Sequence, residues 1–339
     1  MLLKRLSEAL GVSGNEHEVR EIIKEAIKDQ VDEIRVDTLG NLRAVKGKGK
    51  SPRVMVAAHM DEVGLMISWI EKSGLLRFRK VGGIDDRVLV SKTVLVGKDR
   101  IPGVIGAKAI HLQDPRERET PLKYEDLYID IGAKSKEEAE KKVKLGDFAA
   151  FATCYEEFGQ RKAKGKAFDD RVGCTVLMEA LKGQYEFELN AVFTVQEEVG
   201  LRGAAVAAYD LDPQMGLVLE GTTCSDTPGT DPEGYATEVG KGPALSLMDA
   251  SSIANKKMVQ EMVRLAQENG LPYQFRRTTM GGNDAGRIHL TRQGVPSASL
   301  SVPCRYIHSP VSVISLDDLE NAVKLLGLFL KTVEQGFRP

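Results

Sequence analysis

Arg53-Val54-Met55-Val56-Ala57-Ala58 is an almost uninterrupted apolar run, and His59 follows it directly. Runs of this kind are typical of a strand that is covered on both faces, as in a parallel sheet. The stretch therefore predicts a buried strand that carries a polar, metal-binding type of side chain at its carboxyl end.

Outward from this strand, helices and strands alternate in the pattern expected of an α/β fold. The periodicity predicts helices over 171–181, 201–208, 255–269 and 316–334, and strands over 191–195, 216–219, 244–248 and 297–301. Upstream, residues 2–28 read as one or two amphipathic helices, followed by short strands over 34–38 and 42–46. We expect a mixed, mostly parallel sheet flanked by helices.

Between residues 65 and 160 the pattern changes to short β-rich runs separated by glycines, with helical character over 134–143 alone. We interpret this stretch as an inserted, mostly β domain. The chain then has a first domain built from residues 1–64 and 161–339, interrupted by a β-rich domain over 65–160.

The composition is that of an ordinary globular protein, since 42% of the 339 residues are hydrophobic and 28% are charged. A net charge of −2 gives no basic footprint for nucleic acid. The four cysteines form no CxxC pair, which favours free thiols in a reducing compartment. With no apparent signal peptide and no run long enough to span a membrane, we expect a cytoplasmic protein.

Metal-binding types of side chain follow four of the predicted apolar strands. In an open α/β sheet, ligands bind beyond the carboxyl ends of the strands. Those ends lead to His59-Met60-Asp61, to Gln196-Glu197-Glu198, to Glu220 and to His308, and a fifth polar segment, Asp169-Asp170-Arg171, directly precedes a helix. The agreement among them predicts a metal site at this edge of the sheet.

Each segment taken alone leaves alternatives open. Alternate residues of a strand point the same way, so Asp61 can approach His59 or a catalytic group beside it. Of the adjacent carboxylates of Glu197 and Glu198, one could bind metal while the other takes a proton from metal-bound water. The alternative interpretation of His59-Met60-Asp61 is a surface histidine with a chance neighbour. The alternative for Glu197-Glu198 is a solvated acidic loop.

The chain contains an internal comparison for Asp169-Asp170-Arg171, because the same tripeptide recurs as Asp85-Asp86-Arg87 in the β-rich insertion. Only the first copy directly precedes a helix of the α/β part, so we interpret the second copy as structural. Of the other histidines, His17 and His289 are expected to be solvated or packed on helices. A role for His111 beside a neighbouring subunit's site stays open.

Five segments together resemble the M42 family of metallo-aminopeptidases, the tetrahedral and glutamyl aminopeptidases. They are Ala58-His59-Met60-Asp61-Glu62-Val63-Gly64, Phe168-Asp169-Asp170-Arg171, Gln196-Glu197-Glu198-Val199-Gly200, Leu219-Glu220-Gly221-Thr222-Thr223 and Tyr306-Ile307-His308-Ser309-Pro310. Residues 11–14 and 281–285 are similar to that family as well. The resemblance covers nearly the whole chain, and its motifs occur in the family's order.

The resemblance implies a role for each residue at the site. Asp169 would bridge two metal ions, with His59 and Glu220 completing one site and Glu198 and His308 the other. Glu197 would be the general base, and Asp61 would orient or tune the centre. Asp169 is preferred to Asp170 because family members often carry Asn at the second position. Many members carry Asp in place of Glu220, which weakens any transfer of substrate preference.

The resemblance further implies an aminopeptidase with two divalent ions per subunit. Zinc suits the ligand types, and cobalt or manganese would also fit. The expected substrates are peptides, and the expected assembly is a homo-oligomer, as large as a tetrahedral dodecamer, in which the inserted domain dimerises. No nucleic acid or membrane partner is expected.

Two rival functions use the same residues. A glycosidase of the endoglucanase kind could use Glu197 and Glu198 as acid and nucleophile, although adjacent residues diverge and such carboxyls lie at least about 5 Å apart. A metal-stabilised peptide-binding scaffold would need a closed structural site. Sensitivity to chelation and an assay on aminoacyl p-nitroanilides separate these readings.

Overall fold

A computed structural model describes residues 2–339 of the chain. Its strands are β1 Glu33–Val36, β2 Leu42–Lys46, β3 Arg53–His59, β4 Gly64–Ile70, β5 Leu76–Val81, β6 Thr93–Val96, β7 Ile101–Gly106, β8 Tyr128–Asp130, β9 Phe148–Phe151, β10 Glu156–Phe158, β11 Lys162–Gly165, β12 Glu188–Thr194, β13 Met215–Cys224, β14 Ala244–Leu245, β15 Gln274–Phe275, β16 Ser297–Arg305 and β17 Ser312–Ser315. Its α-helices are α1 Leu2–Glu8, α2 His17–Ile27, α3 Pro115–Glu119, α4 Lys136–Glu140, α5 Phe168–Ala180, α6 Arg202–Leu211, α7 Lys256–Glu268, α8 Ala285–Ile288 and α9 Leu316–Glu334.

The apolar run forms β3 at the centre of a mixed sheet. The strand order is β1-β2-β12-β3-β13-β16-β17-β11-β10, with the short strands β14 and β15 added beside β16. The four central strands, β12, β3, β13 and β16, run parallel, and the flanking strands β1, β2, β17, β11 and β10 pair antiparallel. The expected mixed sheet is confirmed, with its parallel pairing concentrated at the centre. This arrangement brings the carboxyl ends of the four parallel strands to one edge.

Both faces of the central strands are buried, which explains why β3 has no polar alternation. Val54, Val56 and Ala58 pack into the larger core, where helices α1, α2, α5, α7 and α9 cover the sheet. Met55 and Ala57 pack on the opposite face against α6 and α8. The alternation of strand side chains between two apolar layers is what a parallel sheet requires.

The β-rich insertion closes on itself as a barrel with the strand order β4-β5-β8-β7-β6-β9. All six pairings are antiparallel, and the interior is a separate apolar core that includes Leu65, Ile67, Val94, Ile105 and Ile129. Closure removes the exposed edges that a small open sheet would present. The last barrel strand ends at Phe151, and β10 already pairs with β11 in the large sheet, a few residues before the expected boundary at 160.

The helices α1 and α2 pack against the large sheet, and the turn between them reaches the carboxyl ends of the central strands. Val12 forms a parallel bridge with Glu62, just beyond the end of β3. None of the helices formed by residues 2–339 combines the length and the apolarity that crossing a bilayer requires.

Candidate metal centre

The five residues expected to bind metal lie together at the carboxyl edge of the central strands. His59 is the last residue of β3, and Glu220 lies in β13 beyond the part of that strand that pairs with β3. Glu198 follows β12, His308 follows β16, and Asp169 lies in the first turn of α5. The structure thus places all five sequence-predicted ligands in one cluster.

Asp169 lies between the two histidines. Its Oδ1 atom is 3.3 Å from Nε2 of His59, and its Oδ2 atom is 3.5 Å from Nε2 of His308. Each histidine then has a second carboxylate, since Glu220 Oε2 is 3.5 Å from His59 Nε2 and Glu198 Oε2 is 3.3 Å from His308 Nε2. The cluster therefore forms two halves, each with one histidine and one glutamate, that share Asp169.

Asp170, the alternative to Asp169, is committed to backbone groups. Its Oδ2 atom accepts a hydrogen bond from the His59 amide at 3.1 Å, and Oδ1 accepts one from the Gly173 amide at 2.8 Å. Asp170 also lies close enough to His59 and Glu220 to form a possible ligand group with them. Since both of its oxygens already have donors, its geometry favours a structural role that fixes His59 and the start of α5.

The ring of His59 is oriented by the chain that follows it. Its Nδ1 atom is 3.1 Å from the Asp61 carbonyl oxygen, which can accept a hydrogen bond from a protonated Nδ1. That tautomer leaves Nε2 with a free lone pair directed at Asp169 and Glu220, the arrangement that metal-binding histidines commonly show.

Asp61 is fully buried and holds the loop that carries the paired glutamates. Its Oδ1 atom accepts a hydrogen bond from the Glu197 amide at 3.0 Å, and its Oδ2 atom accepts one from the Glu198 amide at 3.1 Å. Its Oδ1 atom also lies 3.4 Å from Nδ1 of His59. Asp61 therefore touches both the His59 ring and the backbone of the acidic loop.

Burial dominates the electrostatics of the cluster. It raises the pKa of Glu198 to about 7 and that of Glu220 to about 8, with the charge of Asp169 adding to both shifts. Burial also raises the pKa of Glu197 well above its usual value, and the charges of Glu220, Asp284 and Glu198 raise it further. Such a concentration of buried carboxyl groups is stabilised by a cation and is typical of functional sites.

The pKa values of the two histidines are also raised, but by the neighbouring carboxylates and against the effect of burial. Burial alone would lower the pKa of His308, but Asp169 and Glu198 outweigh it and raise the pKa to about 9. Burial likewise opposes ionisation of Asp169, yet its hydrogen bonds to His308 and His59 hold its pKa below the usual range. A divalent ion placed among these atoms would stabilise the carboxylates in place of the protons on the two histidines.

Unpartnered oxygen atoms support a fit between this cluster and a metal. Oε1 of Glu220 and Oδ1 of Asp284 are buried without a hydrogen-bond partner among the described residues. Leaving such an atom unpaired costs about 1–3 kcal/mol. Imidazole nitrogen and carboxylate oxygen are the ligands that zinc and similar ions prefer, so the residues present suit divalent cations.

Strained backbone surrounds the cluster. Ten of the described residues other than glycine have positive φ angles, and five of them, Ala167, Gln196, Leu201, Tyr306 and His308, lie within a few residues of a proposed ligand. Non-glycine residues adopt this region rarely, and such strain concentrates at functional sites.

A close approach of α5 to β13 also requires a glycine. A Cβ atom at Gly221 would lie 2.9 Å from the Cα atom of Asp169. The glycine that directly follows Glu220 therefore allows Asp169 to reach the centre.

A cleft of about 910 Å³ opens onto the cluster. The proposed ligands Asp169, Glu198, Glu220 and His308 line it, together with Glu197. The cleft is also lined by hydroxyl-bearing side chains of β13 and its continuation and by Arg276, Thr278, Met280, Gly281, Gly282 and Asn283. A molecule bound in this cleft reaches both halves of the metal cluster and the Glu197 carboxyl group.

The remaining candidates from the sequence are not among the five clustered residues, although the Cys174 thiol donates a hydrogen bond to the His59 carbonyl oxygen. Asp85 forms a bidentate ion pair with Arg87, and Asp86 pairs with Lys80, which supports a structural role for the second Asp-Asp-Arg copy. The other histidines and the four unpaired cysteines are not part of the five-ligand cluster. His17 and His111 are exposed, His289 hydrogen-bonds within its own helix, and Cys154, Cys174, Cys224 and Cys304 form no disulfide.

Sequence reasoning missed three buried polar residues near the site. Asp284 accepts a hydrogen bond from the Thr194 hydroxyl at 2.6 Å, beside the end of β3. In the turn between α1 and α2, Ser13 donates a hydrogen bond to Asp61, and Glu16 accepts one from the Gln196 amide. The segments 11–14 and 281–285 pointed to these regions, but no spacing rule connects the three residues with contacts that lie 48, 90 and 180 residues away along the chain.

The chain is similar in sequence and structure to proteins described as aminopeptidases, and also to a solved structure from Thermotoga maritima that is described as an endoglucanase. A family model described as M42 glutamyl aminopeptidase matches residues 40–325, and a second model described as AMPT matches residues 1–23. A lysyl aminopeptidase from Pyrococcus furiosus is 34% identical over 341 residues, which cover 98% of this chain and 97% of that protein.

Solved structures agree with this match. A TET aminopeptidase from the marine sediment archaeon Thaumarchaeota archaeon SCGC AB-539-E09 has a TM-score of 0.96 and 40% identity, covering 99% of this chain and 96% of that one. The TET1 peptidase of Pyrococcus horikoshii, described as assembling into a tetrahedron or a large octahedral shell, has a TM-score of 0.87 and 38% identity, covering 97% and 98%.

Proposed function

The chain belongs to the M42 family of aminopeptidases and is therefore a peptide hydrolase; we propose that it removes N-terminal residues from peptides with two divalent metal ions. One observation carries the proposal: the Asp169 carboxylate lies between His59 and His308, each of which has its own glutamate. A shared carboxylate between two equivalent halves is what a pair of ions requires.

In this proposal the five residues divide into two sites. Asp169 would be shared by both ions, His59 and Glu220 would hold one, and Glu198 and His308 would hold the other. Zinc is the preferred ion for this ligand set, and cobalt or manganese fit the same atoms. When bound, the ions supply Lewis acidity, which lowers the pKa of water and polarises the scissile carbonyl group.

Glu197 is the proposed general base. It lines the cleft, and its backbone amide is held by Asp61, so its carboxyl group projects from a fixed support. Glu197 takes a proton from the attacking water and delivers it to the leaving amine as the peptide bond breaks. A base with a raised pKa suits this double role, because it must release the proton again near neutral pH. Asp61 acts by positioning rather than by touching substrate.

The glycosidase alternative leaves the observed pairing unexplained. Glu198 lies 3.3 Å from His308 Nε2, whereas a glycosidic nucleophile would face the sugar freely. A closed structural site is equally hard to reconcile with the open cleft that meets the cluster. The contact between Glu198 and His308 and the open cleft therefore both support the peptidase.

The test uses the purified enzyme, a chelator and a panel of aminoacyl p-nitroanilides. We expect chelation to abolish hydrolysis and zinc, cobalt or manganese to restore it. Glu197→Gln should retain bound metal and lower kcat about 10²–10⁴-fold. Glu156→Gln, an exposed glutamate of β10, is the control and should behave as wild type. Activity that survives chelation, or a nearly normal Glu197→Gln enzyme, would exclude this mechanism.

The proposal includes self-assembly in a reducing cytoplasm. The inserted barrel is the proposed dimerisation domain, and a tetrahedral dodecamer is the proposed complete assembly, by analogy with the TET1 peptidase. The absence of disulfides among Cys154, Cys174, Cys224 and Cys304 suits that compartment. Light scattering of the metal-loaded protein should give the mass of a dodecamer, and a stable monomer would contradict the assembly.

A further inference from the structure

The turn between α1 and α2 supports the acidic loop, residues 196–198, through two buried side chains. Glu16 contacts the loop directly, and Ser13 contacts Asp61, which accepts hydrogen bonds from the loop. The Ser13 hydroxyl donates a hydrogen bond to Oδ2 of Asp61 at 2.6 Å. Oε1 of Glu16 accepts a hydrogen bond from the Gln196 amide at 3.2 Å. These contacts join the N-terminal segment to the part of the chain that carries Glu197.

As a result, three successive amides of the acidic loop donate to carboxylates. The Gln196 amide donates to Glu16, while the Glu197 and Glu198 amides donate to Asp61. Hydrogen bonds from backbone amides to ionised carboxylates are stronger than those to neutral acceptors. The backbone of the loop is thereby fixed at Gln196 and at the two residues that carry carboxyl groups of the site, Glu197 and Glu198.

The loop requires such support because its conformation is unfavourable by itself. Gln196 has a φ angle of 56°, in the left-handed region that is unfavourable for a residue with a side chain. If the Gln196 amide had no acceptor, relaxation of the loop toward ordinary φ angles would be favourable. Such a change would move the Glu197 carboxyl group, and a displacement of about 1 Å in a catalytic group can lower a rate 10²-fold.

The turn is itself held firmly, so it can act as a support. The Ser13 amide donates to the Glu62 carbonyl at 3.2 Å, and the Glu62 amide donates to the Gly11 carbonyl at 2.9 Å. Gly14, with a φ angle of 89°, lets the chain turn so that its amide reaches Oε1 of Glu16 at 2.6 Å. The Glu62 side chain is anchored in turn by the buried Lys166 at 2.6 and 2.8 Å.

We infer that Ser13 and Glu16 are positioning residues for catalysis: they hold the backbone of residues 196–198 so that Glu197 faces the cleft. This inference rests on the proposed role of Glu197 as the general base. Neither residue touches substrate or metal, so their loss should lower kcat while leaving KM and metal binding nearly unchanged.

The experiment compares Ser13→Ala with Ser7→Ala in the assembled, metal-loaded enzyme. Ser7 is a matched control, because it is also buried in the N-terminal segment and its hydroxyl donates a 2.7 Å hydrogen bond, but to the Lys166 carbonyl. Both variants should lose similar thermal stability and keep their metal. Only Ser13→Ala should lower kcat, by about tenfold or more, with KM changed less than about twofold.

Glu16 is tested by rescue. Glu16→Gln keeps an Oε1 acceptor for the Gln196 amide and should retain most of kcat, whereas Glu16→Ala removes the acceptor and should lose it. Equal kcat values for Ser13→Ala and Ser7→Ala would overturn the inference, and so would equal values for Glu16→Ala and Glu16→Gln. If Glu16→Ala does not fold, the Ser13 comparison decides.

A second measurement does not depend on activity. Amide hydrogen exchange of the peptide that contains residues 195–200 should be faster in Ser13→Ala and Glu16→Ala than in wild type and Ser7→Ala. Unchanged exchange would overturn the inference even if the rates fell. A wild-type enzyme that hydrolyses no aminoacyl substrate would instead refute the proposed function, while the exchange experiment would still test the support of the loop.

Discussion

His59 and Asp169 face each other at the carboxyl edge of the sheet, with Nε2 of the histidine 3.3 Å from Oδ1 of the aspartate. The other oxygen of the same carboxylate faces His308 at 3.5 Å. Because one side chain serves both halves of the cluster, its loss should affect both halves together.

Asp169→Asn is therefore expected to lower the bound metal from two ions per subunit to one or none and to abolish peptide hydrolysis. An amide keeps the shape of the side chain but loses the charge and one of the two oxygen ligands. The same tripeptide elsewhere in the chain provides the control, since Asp85→Asn should keep both metal and activity. Elemental analysis of the two variants decides, and equal metal contents would refute the bridging role.

The sequence was sufficient to predict that the five proposed ligands meet at one edge of the sheet, because four of the five follow apolar runs. His59 ends a strand whose alternate residues enter two separate cores, and a parallel sheet brings the ends of such strands together. The barrel was visible as a change of pattern, but its closure and its last strand depend on long-range pairing that short runs do not specify. Ser13, Glu16 and Asp284 were missed because they act through contacts between distant segments.

Removal of metal is expected to destabilise the protein. Asp169, Glu197, Glu198 and Glu220 converge in a buried cluster, and without cations their charges repel one another. A ligand present at 100 times its Kd stabilises the native state by about 2.7 kcal/mol. Chelation should therefore lower the Tm of the wild type by several degrees and that of Asp169→Asn by less, because the variant holds fewer ions. An unchanged wild-type Tm would contradict metal binding at this site.

Asp284 should make the stability of the metal-free protein depend on pH. Burial is the main cause that raises its pKa from 3.8 to about 6, even though Thr194 donates a hydrogen bond to it. Between these values the native state holds a proton that the unfolded chain releases, so the free energy of unfolding falls as the pH rises from about 4 to about 6. The contribution of protonated Asp284 to the free energy of unfolding is fully present below about pH 4 and lost above about pH 6.

Asp284→Asn should flatten this dependence, by about 1–3 kcal/mol across the window relative to wild type. Asp85→Asn is the control, because its ion pair with Arg87 lowers the pKa of Asp85 to about 2, outside the window. Urea unfolding of the metal-free proteins from pH 4 to pH 7, at equal subunit concentration, measures the difference. Parallel curves for wild type and Asp284→Asn would show that Asp284 does not titrate there.

Arg276 should bias the cleft toward acidic N-terminal residues. Among the lining residues that the structure describes, it is the single Lys or Arg, and its Nε atom is buried without a hydrogen-bond partner. Burial lowers the pKa of Arg276, which indicates a partly desolvated cation that an anionic side chain would stabilise. The acidic residues that line the cleft are the proposed ligands Asp169, Glu198 and Glu220 and the proposed base Glu197. Because the metal ions would balance their charge, they would leave Arg276 free to attract an anionic substrate side chain. We therefore expect a higher kcat/KM for glutamyl than for lysyl p-nitroanilide.

The neighbouring residue supplies the control for this preference. Arg277 is exposed, and it donates to the Pro232 carbonyl and pairs with Glu238 outside the cleft. Arg276→Gln should lower kcat/KM for the glutamyl substrate about 10–100-fold, as expected for a lost charge-assisted hydrogen bond of about 1.5–3 kcal/mol. Hydrolysis of the leucyl substrate should change much less, and Arg277→Gln should change neither. A uniform loss across all substrates would assign Arg276 to the stability of the cleft wall, through its hydrogen bond to the Met280 carbonyl, and not to selection of the substrate.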